Sequence, residues 1–475
     1  MRPVLVRLRP VVRATRTADG LHLRGWASSC TITGGTGLWK VWQRLAPQLS
    51  AGLSPDSLGV PEGTAPSVRA AVELILDQLR EHDMLVSLSE PWGSGGPAPD
   101  VAAWLESVAP DPVEAWRRLR SEAVAVAGSG PLAEAVVRSA KAVQLAVHRI
   151  DGSAHEVVVS AGDLVVRAGC GAEVGYVLPV TGALTSFDTE VTSRIAARLG
   201  IVDVPTEVIA ALVGAASVHR LTCALIGLDD PAPASAFPMA LVARATPLRS
   251  TYHPVLTGPP PRDARKALEA LTDPELGPVE TPRFGLLPQI PVNLATSGDA
   301  LGVGTTADAA RLDAALHALK VDGVVGIDDR HARGAALRLA ARHLPGEPAD
   351  AAEWTTARTA RRWWKALTRR FEQPAVVDVR KLAPDAYRAE VRQGQRVLAW
   401  AVEATAADAV AIAALAATGH AQAGRDGTAH VNGAGPDEEK LQRALERLPG
   451  VKITPLALDP ELSAAGLVAY AVDER

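Results

Sequence analysis

The chain has 475 residues and a formal net charge of −4, so bulk electrostatics gives no case for a nucleic-acid binder. That length holds about two to four domains, each with ample core. Its 3 cysteines, at positions 30, 170 and 223, form no CxxC pair, which argues against a Cys-based zinc site or a disulfide framework.

Residues 1–10 set Arg among their apolar side chains and lack a secretory apolar core, so a cytoplasmic location is expected. Val4, Val6 and Leu8 alternate with polar neighbours, as a half-buried strand would. Asp19-Gly20, between extended runs at 11–17 and 21–33, predicts a hairpin. Gly34-Gly35-Thr36-Gly37 then breaks the sheet. One helix carries Leu38, Val41, Trp42, Leu45 and Leu49 on a single face. The next, capped by Ser67, carries Val68, Val72, Ile75, Leu76 and Leu79. Residues 1–90 are therefore expected to form a winged-helix-like module.

A DNA-reading helix needs a basic face, whereas here Arg69 and Arg80 are mixed with Glu73, Asp77 and Glu81. A winged-helix regulator is accordingly the weaker alternative. The expected use is peptide binding. An extended segment would add to the sheet edge at Ser28, Ser29, Cys30, Thr31, Ile32 and Thr33, its apolar side chains entering a groove by Val68, Val72, Ile75 and Leu79. In order of elements and hydrophobic pattern, this stretch resembles the peptide-recognition element at the front of many proteins that modify ribosomally made peptides.

Residues 91–120 begin with a Pro- and Gly-rich linker. Two short helices follow, one with Val101, Trp104, Leu105 and Val108, the other with Val113, Trp116 and Leu119. They are expected to dock the front module on residues 121–250, with the Trp residues as packing anchors.

Residues 123–127 form an uncharged apolar run suited to a strand buried on both faces. Gly128-Ser129-Gly130 can turn sharply, Pro131 suits the first helical position, and Leu132, Val136 and Ala140 recur at helical spacing. Gly128, Gly130 and Ala133 fit the permissive dinucleotide fingerprint of a Rossmann-like unit. The second strand, at 143–150, ends in His148-Arg149 where a NAD site would place an acid; Arg149 keeps an NADP alternative open. Residues 208–228 are the longest apolar run, but His219 and Arg220 interrupt it, which favours a buried helix over a membrane span.

The glycine turn and the later small-residue helix resemble the ThiF-like adenylation fold. More narrowly, they resemble the variant (the Ocin-ThiF type) in azoline-forming cyclodehydratase complexes of thiazole/oxazole-modified microcins and thiopeptides; Tyr252-His253-Pro254 is similar to the segment that closes that domain. The resemblance implies Arg, Lys and Asp around ATP and magnesium, yet between residues 140 and 161 the chain offers only Lys141, Arg149 and Asp151. A triphosphate without paired cations is strongly unfavourable. Gly128, Gly130 and Ala133 are thus expected to be vestigial, with no cofactor; an ATP- or NADP-dependent enzyme is the alternative.

Pro259-Pro260-Pro261 marks a boundary. Residues 271–279 and 287–292 resemble the opening of YcaO-type cyclodehydratase domains, and residues 302–316 a degraded copy of their glycine turn and helix. The resemblance implies Glu residues that hold magnesium and ATP; here stand Asp308 and Asp313, expected on a solvated face, so no metal is expected. The chain's last residues also lack that family's proline-rich tail. Arg358, Arg361, Arg362, Lys365, Arg369 and Arg370, around Trp363 and Trp364, form the densest basic-aromatic cluster, a solvated face or a site for an acidic peptide or nucleic acid. Strand-like runs at 375–379 and 397–402 precede an Ala-rich stretch read as helical from Trp400 onward. A turn at 433–436 leads into a last helix at 437–448. Residues 260–475 are expected to be an α+β domain that docks the YcaO enzyme.

The expectation is an α/β multidomain, non-catalytic, leader-binding partner of a YcaO cyclodehydratase, a homodimer within a larger complex being a further possibility, with neither nucleic acid nor membrane as partner.

Overall fold

The computed structural model describes residues 5–58, 63–88, 92–93, 95–182, 189–261, 264–431 and 437–473. Val4, Pro91 and the turn at 433–436 lie outside them. The chain divides into two units, one of residues 1–233 and 240–252, the other of residues 234–239 and 253–475.

The first unit starts with β1 (Leu5–Leu8), β2 (Arg13–Arg16), β3 (Gly20–Arg24), β4 (Ser29–Thr33), α1 (Gly37–Ala51), α2 (Pro66–Glu81) and β5 (Leu85–Leu88). Strands β2, β3 and β4 form an antiparallel sheet in that order, so β4 is an edge. The run at 21–33 is two strands rather than one. It breaks at 25–28, where the Gly25 amide donates to the Ser28 carbonyl at 2.9 Å. Helix α2 starts at Pro66 instead of being capped by Ser67, because the fixed φ of proline already suits the first turn. The return strand β5, unforeseen from the sequence, pairs with β1 after Asp83 turns the chain at φ 48°. Leu21, Leu23, Cys30 and Ile32 of the sheet meet Leu38, Trp42 and Leu49 of α1 and Ile75, Leu76 and Leu79 of α2. Each large apolar side chain buried this way contributes roughly 1.5–3 kcal/mol.

Helices α3 (Pro99–Val108) and α4 (Pro112–Ser121) link this module to the central sheet. Glu106 is buried and accepts from Arg7 Nη1 at 2.8 Å and Trp92 Nε1 at 2.7 Å. Arg9 donates to the carbonyls of Glu106 and Ala109 at 3.0 Å each. On their other side Val101, Leu105, Trp116 and Leu119 enter the central core.

That core surrounds β6 (Ala123–Ala127), α5 (Gly130–Ala142), β7 (Ala146–Ile150), β8 (Glu156–Ala161), β9 (Leu164–Cys170), β10 (Val174–Val177), β11 (Thr181–Gly182), α6 (Thr189–Leu199), α7 (Glu207–Leu225), β12 (Met239–Arg244) and β13 (Arg249–Pro254). The sheet order is β13-β12-β10-β9-β8-β6-β7, with β11 beside β9. Strands β6 and β7 are parallel, joined through α5 as a Rossmann-like start requires. The pattern then stops. Only 151–155 separate β7 from β8, too few for another parallel crossover, and β8 runs antiparallel on the other side of β6. Helix α7 is long and apolar enough to cross a membrane, yet Ile209, Ala210, Val213, Val218 and Leu221 are buried in this core. Its Arg220 donates to the Val177 carbonyl at 2.9 Å and to Asp230 at 3.1 Å.

The second unit contains α8 (Ala264–Leu271), β14 (Asn293–Ser297), β15 (Ala300–Gly304), α9 (Ala307–Ala318), β16 (Val324–Gly326), α10 (Asp329–Ala341), β17 (Glu347–Pro348), α11 (Ala352–Thr355) and α12 (Arg358–Lys365). It continues with β18 (Val376–Ala383), β19 (Ala386–Gln393), β20 (Arg396–Glu403), α13 (Ala406–Ala423), α14 (Glu438–Glu446), β21 (Ile453–Leu456), α15 (Pro460–Ala464) and β22 (Val468–Val472). An antiparallel sheet β17-β18-β19-β20 packs on α13, and a smaller sheet runs β16-β22-β21. Trp400 belongs to β20, not to a helix. Helix α13 begins only after Thr405, whose side chain accepts from the Asp408 amide at 3.1 Å.

Candidate functional site

The open edge of β4 is set by register. The Gly25–Ser28 bond makes Leu23–Cys30 and Leu21–Ile32 the hydrogen-bonded pairs, because bonded and non-bonded pairs alternate along an antiparallel ladder. The backbone groups of Ser29, Thr31 and Thr33 therefore face away from β3. Among the described residues no other strand pairs with them. Their side chains are exposed, whereas Cys30 and Ile32 point into the core. On the exposed face Thr31 Oγ1 lies 2.9 Å from His22 Nδ1. Ser28 Oγ donates to the His82 carbonyl at 2.8 Å, fastening the start of β4 to the end of α2.

The wall beside this edge differs from the expected stripe. Ile75 and Leu79 are fully buried and already fill the core. Val72 is half-buried and Val68 exposed. Burial, and then the Glu81 carboxylate, push the Cys30 thiol above its ordinary value, and Glu81 stands one residue before His82, whose carbonyl holds Ser28 at the start of β4. Leu74 and Gln78 share that flank of α2 at helical spacing; Gln78 donates to Glu81 at 2.8 Å, and Leu74 is 41% exposed. The sequence pattern missed these three because the strongest apolar stripe is the one the core takes. The signal for them was an apolar Leu74 one step off that stripe.

The glycine turn is closed by the chain itself. Gly128 and Gly130 adopt φ of 155° and 69°, a region that favours glycine. The Gly128 amide donates to the Ile150 carbonyl at 3.0 Å, and the Ser129 amide to the Ser153 carbonyl at 2.8 Å. Ser129 Oγ donates to the Gly152 carbonyl at 3.0 Å. The Gly128 bond belongs to the parallel ladder of β6 and β7. A nucleotide turn lends N–H groups such as that of Ser129 to a phosphate; here the loop after β7 takes both Ser129 donors. Ala133 is buried in the core. Lys141 lies about 16 Å along α5 from Gly130, at 1.5 Å rise per residue. Arg149 and Asp151 are exposed.

In the second unit the two aspartates of α9 separate. Asp308 is exposed as expected, but Asp313 is buried and accepts from the Val303 amide at 2.9 Å. Polar side chains sink inward when a backbone donor needs a partner. Asp313 also lies 3.6 Å from His317 Nδ1, whose Nε2 is 3.5 Å from His430 Nε2. These two histidines help line a cavity of about 230 Å³ with Trp400, Arg338 and Glu403. Trp400 stacks on His430 at 5.3 Å. Burial first, then the neighbouring His317, Arg342 and His420, push His430 down to about 4. Among the described residues no group of three or more His, Cys, Asp and Glu is arranged to hold a metal ion.

No protein-family model and no curated protein sequence matches the chain. Solved structures do. A heterocyclase in complex with substrate and cofactor superposes over 99% of this chain and 94% of its own, with a TM-score of 0.55 at 11% identity. The heterocyclase TruD superposes over the same shares with a TM-score of 0.53 at 10% identity. E. coli MccB with ATP covers 53% of this chain and 97% of its own at 10% identity, with a TM-score of 0.36, too low to carry a shared fold. The chain has a mixed α/β, multidomain fold similar to that of the heterocyclases.

Proposed function

We propose that this chain is a non-catalytic scaffold for azoline formation on a ribosomally made peptide. It binds the leader region of the precursor and delivers the peptide to a YcaO-type cyclodehydratase. The observation that carries the reading is the unpaired edge of β4, where Ser29, Thr31 and Thr33 turn backbone donors and acceptors outward beside α2. The Ser129 amide and hydroxyl, both taken by the loop after β7, support a scaffold over a nucleotide-using enzyme. The likeness in fold to heterocyclases supports the peptide-modifying context. Holding the leader raises the effective concentration of the core Cys, Ser or Thr at the partner enzyme, whose ATP activates the backbone amide.

Thr31→Pro tests the placement. The Thr31 amide faces outward, so proline removes a donor for an added strand while sparing the ladder to β3. Titrating labelled leader peptide is expected to show at least about tenfold weaker binding, or about 1.4 kcal/mol, with the unfolding midpoint held. Unchanged affinity refutes the site. Micromolar ATP or NADP binding without leader binding moves the reading to the enzymatic alternative.

A further inference from the structure

Helix α12 presents Arg358, Arg361, Arg362 and Lys365 to solvent, and Arg369 and Arg370 follow in the next turn, also exposed. None of the six has a carboxylate partner among the described residues, in a chain whose net charge is −4. Positions i, i+3, i+4 and i+7 fall on one helix face, so the first four cations line about 10 Å of axis. Like charges at this spacing each destabilise a helix, and Arg358 in the first turn opposes the macrodipole. Ala357 offers no side-chain cap. The opposite face is held: Ala360, Trp363 and Leu367 are buried against α13, and Thr418 Oγ1 donates to the Trp363 carbonyl at 3.4 Å. The chain thus clamps in place a helix whose outer face is electrostatically unfavourable when bare.

We infer that this face docks an acidic polypeptide segment of another protein, a function separate from the β4 edge. Charge complementarity identifies the partner's chemistry: Asp and Glu side chains at helical or extended spacing would pair with the arginine forks. Single-stranded nucleic acid fits less well, since it needs free aromatic faces for stacking. Here Trp363 is buried with Arg362 over its ring at 4.5 Å, and Trp364 packs edge-on against Trp354 at 6.1 Å.

The test is fluorescence anisotropy on the full chain with two probes, a labelled Glu-rich peptide of roughly four helical turns and an oligothymidylate of equal charge. The peptide is expected to bind more tightly than the oligonucleotide, with affinity falling as salt rises. The fourfold variant Arg358→Glu, Arg361→Glu, Arg362→Glu, Lys365→Glu is expected to lose at least about tenfold in peptide affinity. The milder pair Arg361→Gln, Arg362→Gln keeps the test readable if the fourfold variant does not fold, and is expected to lose severalfold. Thr31→Pro should leave this binding unchanged, which separates it from leader capture. Tighter binding of the oligonucleotide, no peptide binding at low salt, or equal affinity in the Gln pair would each overturn the inference.

Discussion

The Gly128 amide points at the Ile150 carbonyl, 3.0 Å away, so the first donor of the glycine turn is closed off by the strand it leads to. Gly152 rests against the same turn: a Cβ there would lie 2.9 Å from the Gly128 nitrogen and 3.1 Å from its Cα. Both neighbours are backbone and cannot give way. Gly152→Val should therefore destabilise the first unit by about 1–3 kcal/mol, read as a lower denaturant midpoint. A midpoint equal to that of the parent would mean that the loop does not pack on the turn.

The β4 site calls for a probe that leaves the core intact. Ile75→Glu would bury a charge in a fully occupied core and unfold the front module, so lost binding would say nothing about the groove. Leu74→Glu is the sharper choice. It should change stability by no more than about 0.5 kcal/mol while weakening the binding of an apolar leader several-fold. Unaltered leader affinity would move the groove to another face of α2.

In the second unit Arg338 is buried between Glu403 and Glu438, with bonds from Nη2 of 3.1 Å and 2.6 Å. Removing it leaves two buried carboxylates without their cation. Arg338→Met should cost about 3–5 kcal/mol. Adding Glu403→Leu and Glu438→Leu should recover much of that loss, because the charges then leave together. A single-variant loss below about 1 kcal/mol would show that the triad is solvated.

His430 makes a pH prediction. Its folded value near 4 lies below the unfolded 6.5, so the unfolded chain binds the extra proton in that window. The contribution is fully present above pH 6.5 and is lost as pH falls towards 4. Stability of the second unit should decline across that window, and His430→Leu should flatten the decline. His420, also held below its ordinary value by burial and by His317, would leave a smaller residual slope. A wild-type curve flat from pH 7 to 4.5 would contradict the burial of His430.

Local pattern alone determined several features. The apolar run at 123–127, the glycine turn and Pro131 specified strand, turn and helix because each is a short-range backbone preference. The Asp-Gly hairpin and the amphipathic stripes of α1 and α2 were legible for the same reason. Long-range partnership was not. That β8 would fold back antiparallel to β6, or that β5 would return to β1, depends on which distant strand is free, and no local periodicity encodes it. Burial likewise sorted residues that look alike in sequence: Ile75 from Leu74, and Asp313 from Asp308. The sequence determined which segments want to be helix, strand and core. Tertiary structure decided which backbone donors stay open at Ser29, Thr31 and Thr33 and which are closed at Gly128, because a hydrogen bond is spent once and only packing says on whom.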